Sequence, residues 1–377
     1  MNRKSELLIL GENTDSNKLD FSRYNFVVTM DLNSENLLNS QNIHCIYFHR
    51  HAQSKDIWKE IVSSSKKLVE NFPNQIIKNQ KSLFKLLRYE DTSLWWFVFD
   101  SIMESKNSFF EIIYYFITLS SFIENEKPKT IEIQGIINPL IIKILKVLQE
   151  KYDFKLNDKI SDLKDVKKME KKVVKKELNL FLKFFFSKIA GVKKYKDKKF
   201  AIFFRHGNSF VIRKKGQQKI IIDHYIKELD SFLFQNKKDM VFFSYNTPER
   251  TKSFLQNTLL EFIESAKKTY HPWIGIYTLK DLKFFRNTSQ EYKQLISEFF
   301  NDENCQKYLV NEINLMSLMK PILINKLPNL LAYVKTELKV TKRFLENFNG
   351  SILSTDLFTL YGKALTFNAN KMGREIY

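Results

Sequence analysis

Short apolar runs alternate with helical patterns along the first part of the chain. Three runs, Leu7–Leu10, Phe26–Met30 and Ile43–Phe48, are separated by polar turns. A helical pattern covers Asp56–Phe72, and a further strand pattern appears at Thr130–Ile133. Buried strands that alternate with helices are typical of a parallel sheet covered by helices. The pattern therefore predicts an α/β fold.

The later part of the chain follows the same order of elements. Strand candidates at Ala201–Phe204 and Met240–Phe243 precede helical patterns, and a shift of about 221 residues lays Thr130–Ile133 on Ser351–Ser354. Shifts of 220 to 222 residues align three further pairs: Leu94 with Leu315, Phe122–Asn125 with Phe344–Asn347, and Pro139–Glu150 with Thr359–Lys371. Self-similarity at a fixed spacing indicates copies of one supersecondary unit. We therefore expect two Rossmann-like parallel-sheet units in tandem.

A basic segment joins the two predicted units, which cover residues 1–157 and 200–377. From Lys159 to Lys199 there are fifteen lysines against five acidic residues, a net charge of +10 out of +19 for the chain. The segment 158–199 is predicted to be helical, either as a connecting helix packed on a domain or as an interfacial helix on anionic lipid. In the second case, lysines would meet headgroups and phenylalanines would enter the acyl boundary: Lys175, Lys176, Phe181, Lys183, Phe184 and Phe185.

The cysteines and the hydropathy of the chain indicate in which cellular compartment the protein is expected. Cys45 and Cys305 lie far apart, so the sequence predicts neither a disulfide framework nor a zinc cluster. The spaced histidines His44, His49 and His51 have no accompanying carboxylate or cysteine set. We expect no cofactor and no metal. Neither a signal peptide nor a membrane span is apparent, which predicts a cytoplasmic protein or one peripheral to the inner membrane face.

A polar turn after one predicted strand is a candidate ligand site. Arg205, His206 and Asn208 follow Ala201–Phe204, and open parallel sheets bind ligands at such strand ends. A positive charge and an imidazole there are suited to phosphate. The segment contains neither the GxGxxG nor the P-loop pattern, so an ordinary turn between strand and helix is the alternative.

Asp223 is a second candidate, since it follows the apolar run Ile220–Ile222. A carboxylate in that place can deprotonate a hydroxyl, or it can cap the N-terminus of a helix. The adjacent Trp95 and Trp96 offer faces for stacking on sugars or bases, but their apolar helical setting predicts core residues.

The C-terminal region resembles a known family. Thr355–Leu365, with Asp356 and the run Gly362–Leu365, and then Met372 and Gly373, is similar to a pattern in surface-polysaccharide glycosyltransferases of GT-B type. There, an acidic residue, Gly-Arg-Ala-Leu and Met-Gly or Leu-Gly occur near the end of the N-terminal Rossmann domain. The resemblance implies a catalytic role for Asp356 and ligand binding by Lys363, which replaces the arginine and lacks its planar fork.

This resemblance implies transfer of a sugar from a nucleotide sugar to a polysaccharide or lipid-linked acceptor. The family continues with a second Rossmann domain that binds the donor. We therefore expect a truncated or split gene product, or a partner chain that supplies the donor domain, and an isolated chain that is inactive. The alternatives are a non-catalytic carbohydrate-binding or scaffold protein, and a nucleic-acid binder using the basic segment. The second alternative is disfavoured because RNP1, GXXG and helix-turn-helix signatures are absent.

Overall fold

The computed structural model describes residues 6–11, 19–78, 81–103, 108–135, 137–158, 195–206, 210–215, 218–223, 237–246, 271–305, 307–355, 357 and 359–377. The chain divides into two compact units. The first consists of Met1–Leu163 with Lys293–Asn329, and the second of Lys164–Tyr292 with Leu330–Tyr377. The predicted domains were contiguous, whereas the first unit includes a segment from the later part of the chain. The predicted linker 158–199 lies almost wholly outside the described residues.

Strands and helices alternate along the early part of the chain. The strands are β1 Glu6–Leu10, β2 Phe26–Thr29, β3 Ile46–Tyr47, β4 Ile77–Lys78, β5 Lys81–Ser82, β6 Arg88–Tyr89, β7 Thr92–Ser93, β8 Thr130–Gln134 and β9 Lys155–Asp158. The helices are α1 Leu32–Ser40, α2 Phe48–Ala52, α3 Lys55–Gln75, α4 Leu83–Leu86, α5 Trp95–Met103, α6 Phe109–Glu126 and α7 Pro139–Leu148.

A five-stranded parallel sheet organises the first unit, in the order β3-β2-β1-β8-β9. Its central strand β1 is buried at every position from Leu7 to Leu10. Such a continuous apolar run is expected where helices cover both faces of a parallel sheet. The predicted α/β fold with a parallel sheet is therefore confirmed. The pairs β4–β5 and β6–β7 form short antiparallel hairpins.

The two adjacent tryptophans of α5 have different environments. Trp95 is buried, and its Nε1 donates a hydrogen bond to the carbonyl oxygen of Val69 at 3.3 Å. Its ring lies 6.0 Å from that of Phe72. Trp96 is 42% exposed. The prediction that both are core residues is correct for Trp95 and wrong for Trp96, because consecutive helical residues point about 100° apart.

The remaining elements belong to the later part of the chain. The strands are β10 Phe200–His206, β11 Phe210–Lys215, β12 Gln218–Asp223, β13 Met240–Asn246, β14 His271–Pro272, β15 Leu309–Val310, β16 Ile313–Asn314 and β17 Ser351–Ser354. The helices are α8 Leu279–Phe300, α9 Met316–Asn347 and α10 Leu360–Lys371. The boundaries between the two units fall inside α8 and α9.

The second unit has its own parallel sheet, in the order β14-β13-β10-β17. A parallel bridge between Ile352 and Ile376 adds the last residues of the chain beside β17. In both units, the strands thus follow the order third, second, first and fourth along the chain, with a fifth segment at the edge. The strands β11 and β12 form an antiparallel hairpin outside this sheet.

Two hairpins 221 residues apart share their backbone geometry. Glu90, between β6 and β7, has a φ of 50°, and Asn311, between β15 and β16, has a φ of 49°. After each hairpin a backbone N–H bonds back across its base, from Leu94 to Leu87 at 2.9 Å and from Leu315 to Tyr308 at 2.9 Å. The β4–β5 hairpin has the same kind of bond, from the N–H of Leu83 to the carbonyl oxygen of Ile76 at 3.0 Å, so this bond is general to these short hairpins and the 221-residue correspondence stays a prediction.

Aromatic rings fill the core of the second unit. The rings of Phe203, Phe243, Trp273 and Phe344 contact one another, with centroids 5.1–5.5 Å apart. Most of these pairs are edge-to-face, the arrangement that the aromatic quadrupole favours. They join α9 to the sheet. Within the described residues, no helix is long and apolar enough to cross a bilayer.

Candidate functional site

The carboxyl edge of the first parallel sheet is the candidate site with the most described side chains. After β1 the chain continues to β2 on one side, and after β8 it continues to β9 on the other side. The carboxyl ends of the adjacent strands β1 and β8 therefore form a topological switch point. The backbone N–H of Gly11 bonds to the carbonyl oxygen of Gln134 at 2.8 Å, so these two strands stay paired to their ends. Ligands of open parallel sheets bind outside this edge.

A short helix carries three polar side chains at this edge. Helix α2 begins directly after β3, and its first residue, Phe48, is fully buried. That anchor places His49 and His51 against α6. His49 Nδ1 lies 2.6 Å from Tyr114 Oη, and His51 Nε2 lies 3.3 Å from Ser121 Oγ.

These imidazoles favour the uncharged form. Burial lowers the pKa of His49 and of His51 below its usual value, and burial raises the pKa of Tyr114. At neutral pH, His49 is therefore a neutral imidazole hydrogen-bonded to a protonated phenol. Each of the two groups has one donor and one acceptor. Such a pair can bind a ligand hydroxyl.

Arg50, the third polar residue of α2, forms an ion pair. Its two terminal nitrogens bond to the carboxylate oxygens of Glu35 at 2.6 and 3.0 Å. Glu35 is buried in α1, whereas the Arg50 side chain is 68% exposed. Asp31 positions α1, since its Oδ1 accepts a bond from the N–H of Ser34 at 2.9 Å. The positive charge of Arg50 is thus balanced within the site.

A second tyrosine connects α6 with the segment that follows β8. Asn138 caps α7 by accepting a bond from the N–H of Leu140 at 3.0 Å. Burial raises the pKa of Tyr115, and a hydrogen bond with Asn138 partly opposes that shift. The buried ring of Phe48 contacts both Tyr115, at 5.7 Å, and Tyr114, at 6.0 Å. One core ring therefore supports both tyrosines.

The first edge thus presents imidazole, phenol and amide groups, which form hydrogen bonds without carrying charge. Within the described ranges, no group of three or more His, Cys, Asp or Glu side chains is arranged to hold a metal ion. The chemistry available here is recognition of hydroxyl groups and transfer of a proton.

The sequence predicted a ligand site at the second sheet, and two of its residues are described there. Arg205 and His206 are the last residues of β10, paired in parallel with Tyr245 and Asn246 of β13. They lie at the carboxyl end of the strand, as predicted. Thr355, just after β17, bonds through its N–H to the carbonyl oxygen of Phe203 at 3.0 Å. The β10/β17 edge is therefore the switch point of this sheet.

The other predicted site residues are more scattered. Asp223 is the last residue of β12 and pairs with Phe210, so it belongs to the antiparallel hairpin. Lys363 lies in the first turn of α10, where Thr359 is the N-cap. The rest lie outside the described residues: Asn208, Asp356, Lys175, Lys176, Phe181, Lys183, Phe184 and Phe185. The ligand and membrane roles of all these residues stay predictions.

The second unit also contains a buried carboxyl group that the sequence did not single out. Trp273 comes directly after β14, and its Nε1 donates a hydrogen bond to Glu337 Oε2 at 2.9 Å. Glu337 has no exposed surface. Burial raises the pKa of Glu337 to about 8, although the bond from Trp273 acts in the opposite direction.

Sequence reasoning considered His49 and His51 only as metal ligands and missed their role beside α6. The available signal was the run His49–His51 directly after a predicted strand, where ligand-binding side chains often lie. The partner Tyr114 is 65 residues away along the chain, so no local pattern could reveal that pair.

Comparisons of the chain with protein-family models, with curated proteins and with solved structures found no match. The carboxyl edges of the two sheets are therefore the basis for a functional assignment.

Proposed function

We propose that the chain is a GT-B-like protein of cell-surface carbohydrate assembly, made of two Rossmann-like units in tandem. In this role it acts on a sugar diphosphate and a glycan acceptor during sugar transfer. The observation that carries the proposal is the shared strand order of the two parallel sheets, each with polar groups at its carboxyl edge. Paired α/β units of this kind bind ligands at such edges.

The second edge is the proposed site for the diphosphate. Arg205 and His206 end β10, and Thr355, directly after β17, bonds through its N–H to the carbonyl oxygen of Phe203 in the same strand. We assign phosphate binding to Arg205, His206, Asn208 and Lys363, since their side chains supply positive charge and hydrogen-bond donors. Asp356 or Asp223 would assist an acceptor hydroxyl as a general base.

The basic segment 158–199 is the proposed membrane attachment. Its net charge of +10 and its clustered phenylalanines suit an anionic lipid surface, where a lipid-linked acceptor would be found.

A non-catalytic carbohydrate-binding protein is the second candidate function. The uncharged hydrogen-bonding groups of the first edge favour it, because His49 with Tyr114, and Tyr115 with Asn138, can bind sugar hydroxyls without any reaction. The two candidates differ in whether the second edge binds a diphosphate.

Isothermal titration calorimetry tests the diphosphate site. UDP-, GDP- and CMP-sugars form one arm, and a short-chain prenyl diphosphate sugar forms the other, which separates a nucleotide donor from a lipid-linked acceptor. We expect at least one of these ligands to bind, and Arg205→Ala to weaken that binding roughly tenfold, equivalent to about 1.4 kcal/mol. Arg286→Ala is the control, since Arg286 is exposed on α8.

The result that would reject the diphosphate role is an absence of binding in both arms, or equal binding by Arg205→Ala and the wild type. Glycan binding without diphosphate binding would support the second candidate function. A hydrolysis assay on the same protein tests turnover separately, because the resemblance implies that the isolated chain is inactive.

A further inference from the structure

Five rings form a continuous row on the first unit. They are, in order, Trp58, Phe110, Tyr114, His49 and Tyr47, and the neighbouring ring centroids are 6.4, 6.1, 5.7 and 5.3 Å apart. The rings come from α3, α6, α2 and β3. We refer to this set as the aromatic row.

The secondary structure brings these rings together. Phe110 and Tyr114 are one turn apart on α6, so their side chains lie on the same face of that helix. Their rings are within 26° of parallel, and those of Tyr114 and His49 are within 22°. Trp58 is 42% exposed, and the other four residues are partly exposed. Every residue of the aromatic row thus retains some exposed surface.

Polar groups accompany the row where it reaches the sheet edge. His49 and Tyr114 share a hydrogen bond of 2.6 Å, and nearby Tyr115 of α6 bonds to Asn138, the N-cap of α7. A pyranose ring has an apolar face of C–H groups that stacks on aromatic rings, and hydroxyl groups at its rim that need hydrogen bonds. The exposed parts of these rings and the neutral hydrogen-bonding groups beside them supply both kinds of contact.

We propose that the aromatic row binds a glycan chain of several sugar residues. The proposal deepens the proposed function and rests on it in one respect, since the bound glycan would be the acceptor. The spacing of the rings is comparable with the length of one sugar residue in an extended glycan. A glycan of several residues would therefore be long enough to contact several rings of the row.

Charge distinguishes a glycan from single-stranded nucleic acid, which also stacks on aromatic rings. Nucleic acid requires cations that neutralise its phosphates. Arg50 is already paired with Glu35, and His49 is neutral because burial lowers its pKa. Around Trp58, opposite charges alternate on the exposed part of α3: Lys55, Asp56, Lys59 and Glu60. Among the described residues, the aromatic row therefore has no excess of positive charge for a phosphate backbone.

Binding to oligosaccharides tests the proposal on the full chain. The probes are chitooligosaccharides, maltooligosaccharides and hyaluronan oligosaccharides of increasing length, with oligo(dT) as the nucleic-acid arm. We expect at least one glycan series to bind, more tightly as its length increases, and Trp58→Ala to weaken binding roughly tenfold. Tyr114→Phe keeps the ring and removes the hydroxyl, so it should weaken binding less.

Trp96→Ala is the matched control, because Trp96 is also 42% exposed and also lies on a helix. It should bind glycan like the wild type, and circular dichroism should show that all variants are folded. Equal binding by Trp58→Ala and wild type, no binding to any glycan series, or tighter binding to oligo(dT) would overturn the proposal.

The same variants separate this proposal from the proposed function. Trp58→Ala should leave diphosphate binding unchanged, and Arg205→Ala should leave glycan binding unchanged. If the chain binds a diphosphate but Trp58→Ala does not weaken glycan binding, the aromatic row is rejected as a site. If the chain binds glycan through the row but binds no diphosphate, the proposed function is rejected and a glycan-binding protein remains.

Discussion

Trp273 Nε1 donates a hydrogen bond to Oε2 of Glu337 at 2.9 Å. Among the described residues, this is the one hydrogen bond that the Glu337 carboxyl group accepts. The second carboxyl oxygen, Oε1, is buried and has no hydrogen-bond partner in the described part of the chain. A buried carboxylate with a single donor is costly, so the protonated acid is favoured. This explains why burial outweighs the bond from Trp273 and raises the pKa of Glu337 to about 8.

The first prediction follows from this proton. The ordinary pKa of the glutamate is 4.5, so between 4.5 and about 8 the folded chain retains a proton that the unfolded chain releases. The free energy of unfolding should therefore fall as the pH rises through this range, by at most about 1.4 kcal/mol per pH unit. Glu337→Gln should remove this dependence, because glutamine keeps the acceptor for Trp273 and does not titrate.

Urea unfolding between pH 5 and pH 9, followed by hydrogen exchange of peptides from α9, measures the effect. Glu346→Gln is the control, since Glu346 is exposed on the same helix. The lowered pKa values of His49 and His51 act in the opposite direction below their ordinary 6.5, but they are common to all variants and cancel in the comparison. An unchanged slope in Glu337→Gln would mean that Glu337 is ionised in the folded chain.

The second prediction concerns the buried carboxylate of Asp281 near the start of α8. Arg343 bonds to both of its oxygens, at 3.0 and 2.8 Å, and the N–H of Thr278 bonds to it at 2.7 Å. Burial opposes ionisation, but these bonds outweigh it and hold the pKa of Asp281 below 3.8. Arg343→Met should destabilise the second unit by about 3 kcal/mol, because it leaves the buried charge without its main partner.

Lys339→Met provides the comparison. The Nζ of Lys339 lies 3.8 Å from the carboxylate of Asp281, and the lysine side chain is 47% exposed. An ion pair of that kind contributes at most about 1 kcal/mol. If denaturation showed the two variants to be equally stable, Arg343 would not be the principal partner of Asp281.

Much of the fold could be read from apolar periodicity, and its exceptions have physical reasons. The parallel strands β1, β2 and β10 were predicted because buried strands are apolar runs. The strand β14 was missed, since it has only two residues and one is Pro272, which reads as a turn. The described part of the basic segment gives no test of its predicted helix.

The sequence could predict those candidate site residues whose placement follows from their position at the end of a strand. Arg205 and His206 were expected at a carboxyl edge because they end an apolar run, and β10 ends there. His49 depends on Tyr114 from a distant helix, which no local pattern shows. Glu337 lies among alternating polar and apolar residues in α9, so its complete burial is set by tertiary packing.

The third prediction is that the segment Asp158–Lys199 binds anionic membranes reversibly. Vesicle sedimentation should show binding that increases with the fraction of anionic lipid and decreases with salt. Replacing Lys175, Lys176 and Lys183 by glutamate should abolish it, whereas the same change at the exposed Lys66 and Lys67 of α3 should not. Equal binding to neutral vesicles would show that the lysines are not the cause.

The last prediction compares two positions that require glycine for different physical reasons. A Cβ at Gly350 would lie 2.3 Å from the backbone oxygen of Lys199, which also accepts a bond from the N–H of Ser351 at 2.8 Å. Gly350→Ala should therefore push the start of β17 away from β10 and destabilise the second unit by about 1–3 kcal/mol, as for an overpacked core. Hydrogen exchange at β17 should increase accordingly.

Gly373 has open space around it and a φ of 64°. Gly373→Ala should therefore cost only the conformational preference of alanine against the left-handed region, about 1 kcal/mol, and Gly373→Asn less, since asparagine tolerates that region. Neither change should alter exchange at β17. If denaturation and exchange ranked Gly373→Ala as the more damaging variant, the close approach of β17 to β10 at Gly350 would not be a constraint on the fold.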